Sequence, residues 1–224
     1  GDVYKRQMYR RLKMKIDLHV HTYYSKCALD SPREILKTAY KLGLNGIAVT
    51  DHNTLTGYFK TVKLNKEKDF IVIPGLEISS KDGDIICLGC RELIPKHMSA
   101  NETIQMIKEK GGIAVIPHPF DFLRKSVGFK IRNLKPHAIE VINSNIVFPL
   151  ANIMAFRYAK SNGISMVAGS DSHSIETLGK AYTIVDGSSI EEILKNITRN
   201  KCKALGKDAS FFAKLKRKAL AKLR

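Results

Sequence analysis

Short apolar runs rich in β-branched residues alternate along the chain with stretches in which apolar residues recur at helical spacing. The runs predict β-strands at residues 15–20, 46–50, 71–73, 85–88, 113–116, 138–142, 165–168 and 182–185. The helical stretches predict helices at residues 32–42, 55–65, 101–110, 150–161 and 190–199. Two of these helices begin with clear start signals, because Ser31 precedes a proline and Ser99 precedes Glu102 at capping-box spacing.

This alternation of strands and helices predicts an α/β fold in which helices cover a parallel sheet. About seven such units, with polar residues closing several strands, favour a closed or distorted (β/α) barrel of the TIM-like kind over an open sheet. Functional residues of such barrels gather at the C-terminal ends of the strands. The polar residues that end the predicted strands are therefore expected to meet at one end of the barrel.

Acidic residues and histidines occur at these strand ends in five short clusters: DLHVHT, TDHN, PGLEIS, PHP and GSDSH. Taken singly, each cluster has a simpler explanation, such as exposed strand histidines, a general-base pair, a loop cap or a rigid turn. Their repetition at matching strand ends instead predicts one shared site for several metal ions. The predicted ligands are His19, His21, Asp51, His52, Glu77, His118, Asp171 and His173.

A mixture of imidazole and carboxylate ligands fits zinc, manganese or iron better than magnesium or calcium. Paired cations lower the pKa of a bridging water and clamp the oxygens of a phosphoryl group, which predicts hydrolysis by a metal-bridging hydroxide. We expect Asp51 or His173 to protonate the leaving oxygen. Arg124 and Asn143 are candidate substrate contacts, and an exposed loop cation is the alternative interpretation of Arg124 and Lys125.

The order H-x-H, T-D-H, G-x-E, P-H-P and G-S-D-x-H resembles the PHP (polymerase and histidinol phosphatase) superfamily, over residues 14–201. The chain is most similar to its small stand-alone metal-dependent phosphoesterases. This resemblance implies a distorted (β/α)7 barrel with two or three divalent ions. It also implies the hydrolysis of phosphate esters.

The resemblance further implies which residues hold each ion. The first ion would be held by His19, His21, Glu77 and Asp171. Glu77 would bridge to a second ion, which His118 also binds. His52 and His173 would hold a third ion, with Asp51 as a ligand or as an orienting residue.

Two positions depart from the pattern of the family. Cys27 stands where relatives often carry His or Asp, so either its thiolate binds zinc or the third position is weak. The strand after Glu77 lacks a histidine for the second ion. Asp84 is the best substitute there, and Cys90 is a poorer one.

The net charge of +17 is concentrated at the two ends of the 224-residue chain. We interpret residues 1–13 as a basic extension whose first seven residues resemble translated sequencing-adapter DNA, residues 14–201 as the PHP domain and residues 202–224 as a basic amphipathic tail. The tail either binds nucleic acid, an anionic membrane surface or an acidic partner, or packs its apolar stripe on the barrel. No signal peptide or transmembrane segment is predicted, so we expect a cytoplasmic protein.

The four cysteines are not expected to form a disulfide framework. Cys87 and Cys90 are three residues apart in a predicted strand, where side chains point to opposite faces. This spacing favours buried structural thiols over a zinc knuckle.

Three hypotheses for the function follow from the sequence. The leading one is a phosphoesterase that acts on a phosphate monoester or a nucleotide-derived ester. The second is an exonuclease acting on short oligonucleotides, which the basic ends support. The third is a non-catalytic PHP module that binds ligand or metal without turnover.

Overall fold

A computed structural model describes residues 13–148 and 150–207 of the chain. The strands are β1 (Lys13–Val20), β2 (Gly46–Val49), β3 (Ile71–Ser79), β4 (Asp84–Leu88), β5 (Ile113–Ile116), β6 (Ala138–Asn143), β7 (Ser165–Gly169), β8 (Ala181–Asp186) and β9 (Cys202–Gly206). The α-helices are α1 (Pro32–Lys41), α2 (Thr56–Leu64), α3 (Ala100–Glu109), α4 (Ala151–Ser161) and α5 (Ile190–Thr198), and Gly128–Asn133 forms a 3-10 helix.

The predicted helices begin where their capping residues indicate. Ser31 and Ser99 both form reciprocal capping boxes, with Glu34 and Glu102 respectively. Each box satisfies backbone N–H groups that a helix start otherwise leaves without partners. The eight predicted strands are present, whereas β9 and the 3-10 helix were not predicted.

The nine strands form one sheet in the order β7-β6-β5-β4-β3-β2-β1-β8-β9. The sheet closes on itself, because a parallel bridge joins Val20 at the end of β1 to Ser172 just after the edge strand β7. The N–H of His21 donates to the carbonyl of Ser172 at 2.9 Å along this seam. The sheet is therefore a nearly closed, distorted barrel, as predicted.

The direction of β4 corrects the expectation of a parallel sheet. β4 pairs antiparallel with both β3 and β5, because only residues 80–83 separate β3 from β4. A connection of four residues makes a hairpin, whereas a parallel neighbour requires a crossover of a dozen or more. β3 also continues through Pro74 and Gly75 to Ser79, although the strand was predicted to end at residue 73.

The last two strands fill the gap left between the N-terminal halves of β1 and β7. β8 pairs antiparallel with β1 on one side and β9 on the other. The hydroxyl of Thr183 on β8 accepts from the N–H of Ala168 on β7, and donates to its carbonyl. The sheet thus continues past the domain boundary predicted at residue 201, while the amphipathic stretch at 208–224 lies outside the described residues.

Cys87 and Cys90 form a disulfide, contrary to the prediction of separate buried thiols. β4 ends at Leu88, and the following Gly89 has a positive φ of 97°, so Cys90 does not continue the alternation of the strand. The turn brings the two sulfurs to the same side. Both cysteines are fully buried.

Apolar side chains fill the barrel below the polar strand ends. Leu18, Ile73, Ile86 and Val115 belong to one buried cluster. Ile73 precedes Glu77 by four residues on β3, so both side chains point to the same face of this strand. Ile73 packs in the apolar interior of the barrel, and Glu77 lies nearer the end where the polar residues meet. Among the described residues, no helix has the length and apolar character needed to cross a membrane.

Candidate metal centre

The histidines and acidic residues of the five clusters converge at the end of the barrel where β1, β2, β3, β5 and β7 finish. The four side chains predicted to hold the first ion are at most 1% exposed: His19, His21, Glu77 and Asp171. A fifth, His118, is 2% exposed. The predicted convergence of the clusters is present, and the burial of so many ionisable groups requires a compensating charge.

The four residues of the first predicted ion position present their side-chain atoms to one another. His19 Nε2 lies 3.1 Å from His21 Nε2, and 3.4 Å from Glu77 Oε2. Asp171 Oδ1 lies 3.5 Å from His19 Nε2 and 3.4 Å from His21 Nε2. Ligand atoms of a tetrahedral ion with bonds of about 2.1 Å are roughly 3.4 Å apart. The spacing of the four groups therefore fits a divalent ion.

Glu77 directs its two carboxylate oxygens to different partners. Oε2 faces His19, His21 and His52, whose Nδ1 is 3.2 Å away. Oε1 faces His118, whose Nε2 is 3.4 Å away. A carboxylate placed in this way can bridge two ions.

Three imidazoles form a further group of possible ligands, His21, His52 and His173, with one ring nitrogen of each within 4.8 Å of the others. The ring centroids of His21 lie 4.3 Å from His173 and 4.7 Å from His52. Cys27 is partly exposed, and its sulfur belongs to no such group among the described residues. This arrangement assigns the third position to imidazoles and does not bring the predicted thiolate to it.

Asp84 lies in the centre although it begins a strand. In a parallel strand the first residue would lie at the opposite end of the barrel, but β4 runs antiparallel and starts at the rim. A carboxylate oxygen of Asp84 lies within 4.8 Å of ligand atoms of Glu77 and His52.

Several buried atoms of the centre lack the partners that buried polar atoms normally have. Seven buried side-chain atoms of the described residues accept or donate no hydrogen bond, and five are in this cluster: Glu77 Oε1, Asp84 Oδ1, His118 Nδ1 and Nε2, and Asp171 Oδ1. Unpartnered buried polar groups are costly, whereas bound cations satisfy oxygen and nitrogen lone pairs. The residues present thus fit divalent ions.

The carboxylates and imidazoles strongly shift one another's pKa values. Burial opposes protonation of His19, but Asp171, Glu140 and Glu77 outweigh it and hold its pKa well above the usual value. His21 is likewise buried, but its hydrogen bonds to the carboxylates of Asp171 and Glu77 raise its pKa to about 9. Burial favours the neutral form of Asp171, yet Arg124 and His19 keep its pKa well below the usual range. In the metal-free protein, protons on imidazoles therefore supply part of the missing positive charge.

Asp51 does not face the other candidate ligands, and its contacts fit the orienting role, one of the two alternatives that the resemblance implied. Its carboxylate accepts from the Thr22 N–H at 2.8 Å, the Thr22 hydroxyl at 2.6 Å and the Ser25 hydroxyl at 2.7 Å. Ser25 Oγ in turn lies 3.2 Å from Nδ1 of His21. Because Asp51 is occupied by these donors, the geometry makes it an orienting residue rather than a ligand or acid.

Glu140 is a residue of the centre that the sequence analysis missed. Its Oε1 lies 3.0 Å from His19 Nδ1, and its Oε2 accepts from the backbone N–H of His118 at 3.0 Å. Such a carboxylate fixes the tautomer of the imidazole and directs Nε2 toward an ion. The available signal was an acidic residue inside the apolar strand AIEVIN, where a solvated glutamate is not expected.

Asn143 is completely buried and lies behind the ligands. Its Nδ2 donates to Glu140 Oε2 at 2.8 Å and to Asp171 Oδ2 at 3.2 Å, while its Oδ1 accepts from the Asn145 N–H. These bonds engage both ends of the amide. The predicted contact of Asn143 with substrate is therefore replaced by contacts that position two carboxylates.

Arg124 reaches the centre from the loop that follows His118. The N–H of Asp121 donates to the His118 carbonyl and the N–H of Arg124 to the Asp121 carbonyl, so two successive turns fold the loop back. The guanidinium then pairs with Oδ2 of Asp171, and its side chain is 19% exposed. Lys125, by contrast, is exposed.

Two ligands have backbone conformations that are uncommon for their residue types. φ is +31° at His118 and +52° at Asp171, in or near the left-handed region. Such conformations cost about 1–3 kcal/mol and persist where the surroundings enforce them. The bond from the His118 N–H to Glu140 is one such restraint.

Comparisons with known proteins agree with this geometry. The family described as PHP domain matches residues 17–146, and the family described as PHP-associated matches residues 149–202. The chain is 43% identical over 141 residues to the uncharacterized protein MJ1587 of Methanocaldococcus jannaschii, covering 58% of this chain and 82% of that protein. It is 30% identical over 119 residues to a 5'-3' exoribonuclease of Haemophilus influenzae, covering 48% of this chain and 43% of that protein.

A similar fold occurs in a two-domain protein from Bacteroides vulgatus that contains a predicted PHP-like metal-dependent phosphoesterase. The TM-score is 0.74 at 17% sequence identity, with 92% of this chain and 69% of that chain covered. At this identity the likeness concerns the fold.

Proposed function

Since the chain belongs to the PHP domain family, we propose that it is a metal-dependent phosphoesterase acting on a phosphate monoester or a nucleotide-derived ester. The observation that carries the proposal is the group of buried, unpartnered carboxylate oxygens and imidazole nitrogens at the barrel end. A structural role would leave these atoms paired with protein groups.

Two or three ions of zinc, manganese or iron fit the ligands present. His19, His21, Glu77 and Asp171 would hold the first ion. Glu77 and His118 would contribute to the second, and His52 with His173 to the third. When bound, such ions supply a hydroxide at neutral pH and neutralise charge on phosphoryl oxygens.

Arg124 is the proposed phosphate-binding side chain. Its guanidinium already lies at the ligand Asp171, and an arginine can bind two oxygens of one phosphate in parallel. The partial exposure of the side chain allows contact with a ligand that enters from solvent.

His173 is the proposed proton donor to the leaving oxygen, although ligation of a third ion would exclude that role. Its Nδ1 lies 2.9 Å from the carbonyl oxygen of Asp171, which fixes the orientation of the ring. Removal of a general acid costs about 100- to 10,000-fold, and more for poor leaving groups. We expect His173→Ala to slow alkyl phosphate hydrolysis far more than p-nitrophenyl phosphate hydrolysis. Equal losses with both esters would support ligation.

The direct test loads the purified protein with Mn²⁺ and measures the release of phosphate from a chromogenic monoester and a panel of phosphorylated metabolites. We expect Asp171→Ala to lower turnover by at least about 100-fold, because a lost ligand costs at least as much as a lost orienting residue. Asp69→Ala, which changes an exposed aspartate, is the control. Full metal occupancy without turnover of any ester would instead support a non-catalytic PHP module.

A second candidate, oligonucleotide hydrolysis, is supported by exposed aromatic side chains in and just after the loop that carries Arg124. Phe122 and Phe129 are 46% and 56% exposed, and their ring centroids lie 5.5 Å apart. Bases of single strands stack on such rings for about 1–3 kcal/mol each. The similarity to an exoribonuclease over part of the chain agrees with this candidate.

The two candidates are separated by replacing both rings. Phe122→Ala with Phe129→Ala should weaken cleavage of short oligonucleotides and leave glycerol phosphate hydrolysis unchanged. Deleting residues 208–224 tests the contribution of the basic tail, which should then alter the salt dependence of oligonucleotide binding. Absence of oligonucleotide cleavage by the wild type would remove this candidate. Equal oligonucleotide cleavage by all variants would remove the role of the rings and the tail.

A further inference from the structure

The carboxylates of Glu77 and Asp84 form a buried acidic pair, and among the described residues neither makes a salt bridge with a lysine or an arginine. Glu77 is 0% exposed and Asp84 is 5% exposed. Glu77 Oε1 and Asp84 Oδ1 are both among the buried atoms without hydrogen-bond partners in the described part of the chain. Two neighbouring carboxylates in a low-dielectric interior repel each other unless a cation or a proton joins them.

The register of the hairpin explains why these two side chains meet. Asp84 pairs with Ser79, and Glu77 pairs with Ile86 two residues further along the ladder. Residues 77 and 84 are therefore diagonal neighbours on one face of the β3–β4 ladder, within reach of each other's side chains. The N–H of Asp84 also donates to the carbonyl of Lys125 at 3.0 Å, which anchors the start of β4 to the loop that carries Arg124.

Imidazoles flank this acidic pair on two sides. A ring nitrogen of His52 lies within 4.8 Å of oxygens of both carboxylates. His118, whose two ring nitrogens have no hydrogen-bond partner, has Nε2 3.4 Å from Glu77 Oε1. Oxygen and nitrogen lone pairs thus face one small volume from three strand ends and the start of a fourth strand.

We propose that Asp84 is a ligand of the second divalent ion, which it shares with Glu77 and the adjacent imidazoles. This inference rests on the proposed function only in placing the ion at the same centre. It assigns to the hairpin strand β4 a direct part in metal binding. With Asp84 as a ligand, the second ion has two carboxylates instead of one carboxylate and a further imidazole. Such a ligand set favours Mn²⁺ relative to Zn²⁺.

The test measures metal content and not turnover. The full-length protein is stripped with a chelator, equilibrated with equimolar Zn²⁺ and Mn²⁺, separated from free metal and analysed for both elements. We expect Asp84→Ala to lose one ion per chain relative to the wild type, with the remaining ions retained. Asp82→Ala, on the same hairpin and paired with Lys130, is the matched control and should keep the wild-type content.

A second variant guards against a loss of metal caused by misfolding. Asp84→His keeps a ligand at this position, so the chain should retain the same number of ions but with a larger fraction of zinc. Circular dichroism should show the same fold for all three variants. Wild-type metal content in Asp84→Ala, or an unchanged zinc fraction in Asp84→His, would overturn the inference.

Failure of this inference can be distinguished from failure of the proposed function. If Asp84→Ala loses an ion but no ester is hydrolysed by the wild type, the metal assignment stands and the phosphoesterase proposal falls. If esters are hydrolysed while Asp84→Ala keeps every ion, only the assignment of Asp84 falls.

Discussion

At the scale of single residues, the centre depends on side chains that orient the ligands as much as on the ligands. Glu140 and Ser25 each contact Nδ1 of a ligand histidine, so that Nε2 of His19 and of His21 faces the ion position. The histidines and acids at strand ends could be predicted because they interrupt apolar runs. Glu140 could not be predicted in this way. Its contact with His19 joins β6 to β1, and these strands lie far apart in the sequence.

Glu140→Gln is expected to weaken metal binding by about 10- to 100-fold, the range typical of residues that orient metal ligands. The amide retains the shape of the side chain but removes the charge beside His19. Isothermal titration of the metal-free protein with Mn²⁺ measures the change. Glu67→Gln, an exposed substitution, should leave the affinity unchanged. An unchanged affinity in Glu140→Gln would show that this carboxylate does not orient the ligand.

Metal binding should strengthen as the pH rises toward 9. The pKa of His21 is raised to about 9 in the metal-free protein, so at pH 7 this imidazole carries a proton that a metal ion must displace. Affinity then rises by up to about tenfold per pH unit for each displaced proton. Calorimetry at pH 6.5 and 7.5, in buffers of different ionisation enthalpy, measures the released protons. His97→Asn, which changes an exposed histidine, should release the same number. Binding without proton release would contradict the expectation.

At the scale of elements, the short hairpin between β3 and β4 is what places Asp84 at the metal centre. The hydrophobic pattern located the start of each strand to within one residue, but it carries no information on strand direction. Direction follows from the length of the connection, and the prediction ended β3 at residue 73 instead of at Ser79. The true length of β3 leaves no room for a crossover.

Gly83→Ala is expected to destabilise this hairpin by more than about 1 kcal/mol. Gly83 has a φ of +138°, and an added Cβ would lie 2.5 Å from the backbone nitrogen of Val127. The control is Gly43→Ala, because Gly43 also has a positive φ but nothing within 4 Å of an added Cβ. Urea unfolding of both variants measures the difference. Equal losses of unfolding free energy would mean that the contact with Val127 is unimportant.

At the scale of the whole molecule, the barrel was predictable and its closure was not. Repeated strand–helix units indicated the fold class. The closing strands β8 and β9 depend instead on contacts such as Thr183 with Ala168, which join residues that no local pattern relates. The prediction therefore ended the domain one residue before β9 begins.

Metal ions should stabilise the entire fold, since their ligands come from strand ends around the whole barrel. An ion at 100 times its dissociation constant adds about 2.7 kcal/mol to the unfolding free energy. For a chain of this size that corresponds to a rise of roughly 5–10 °C in Tm. Scanning calorimetry of the chelated and the Mn²⁺-loaded protein measures it. Asp171→Ala should show a smaller rise, and an equal rise would indicate that the stabilising ions bind elsewhere.

The reversed strand has a consequence for how proteins of this kind diversify. Because β4 presents its first residue to the cavity, residues 80–83 are both a surface turn and the immediate support of Asp84. Lengthening or shortening this turn can shift Asp84 without disturbing the barrel interior. The length of this four-residue turn thereby gives evolution, or a protein engineer, a simple means of changing which cations fit the proposed second position.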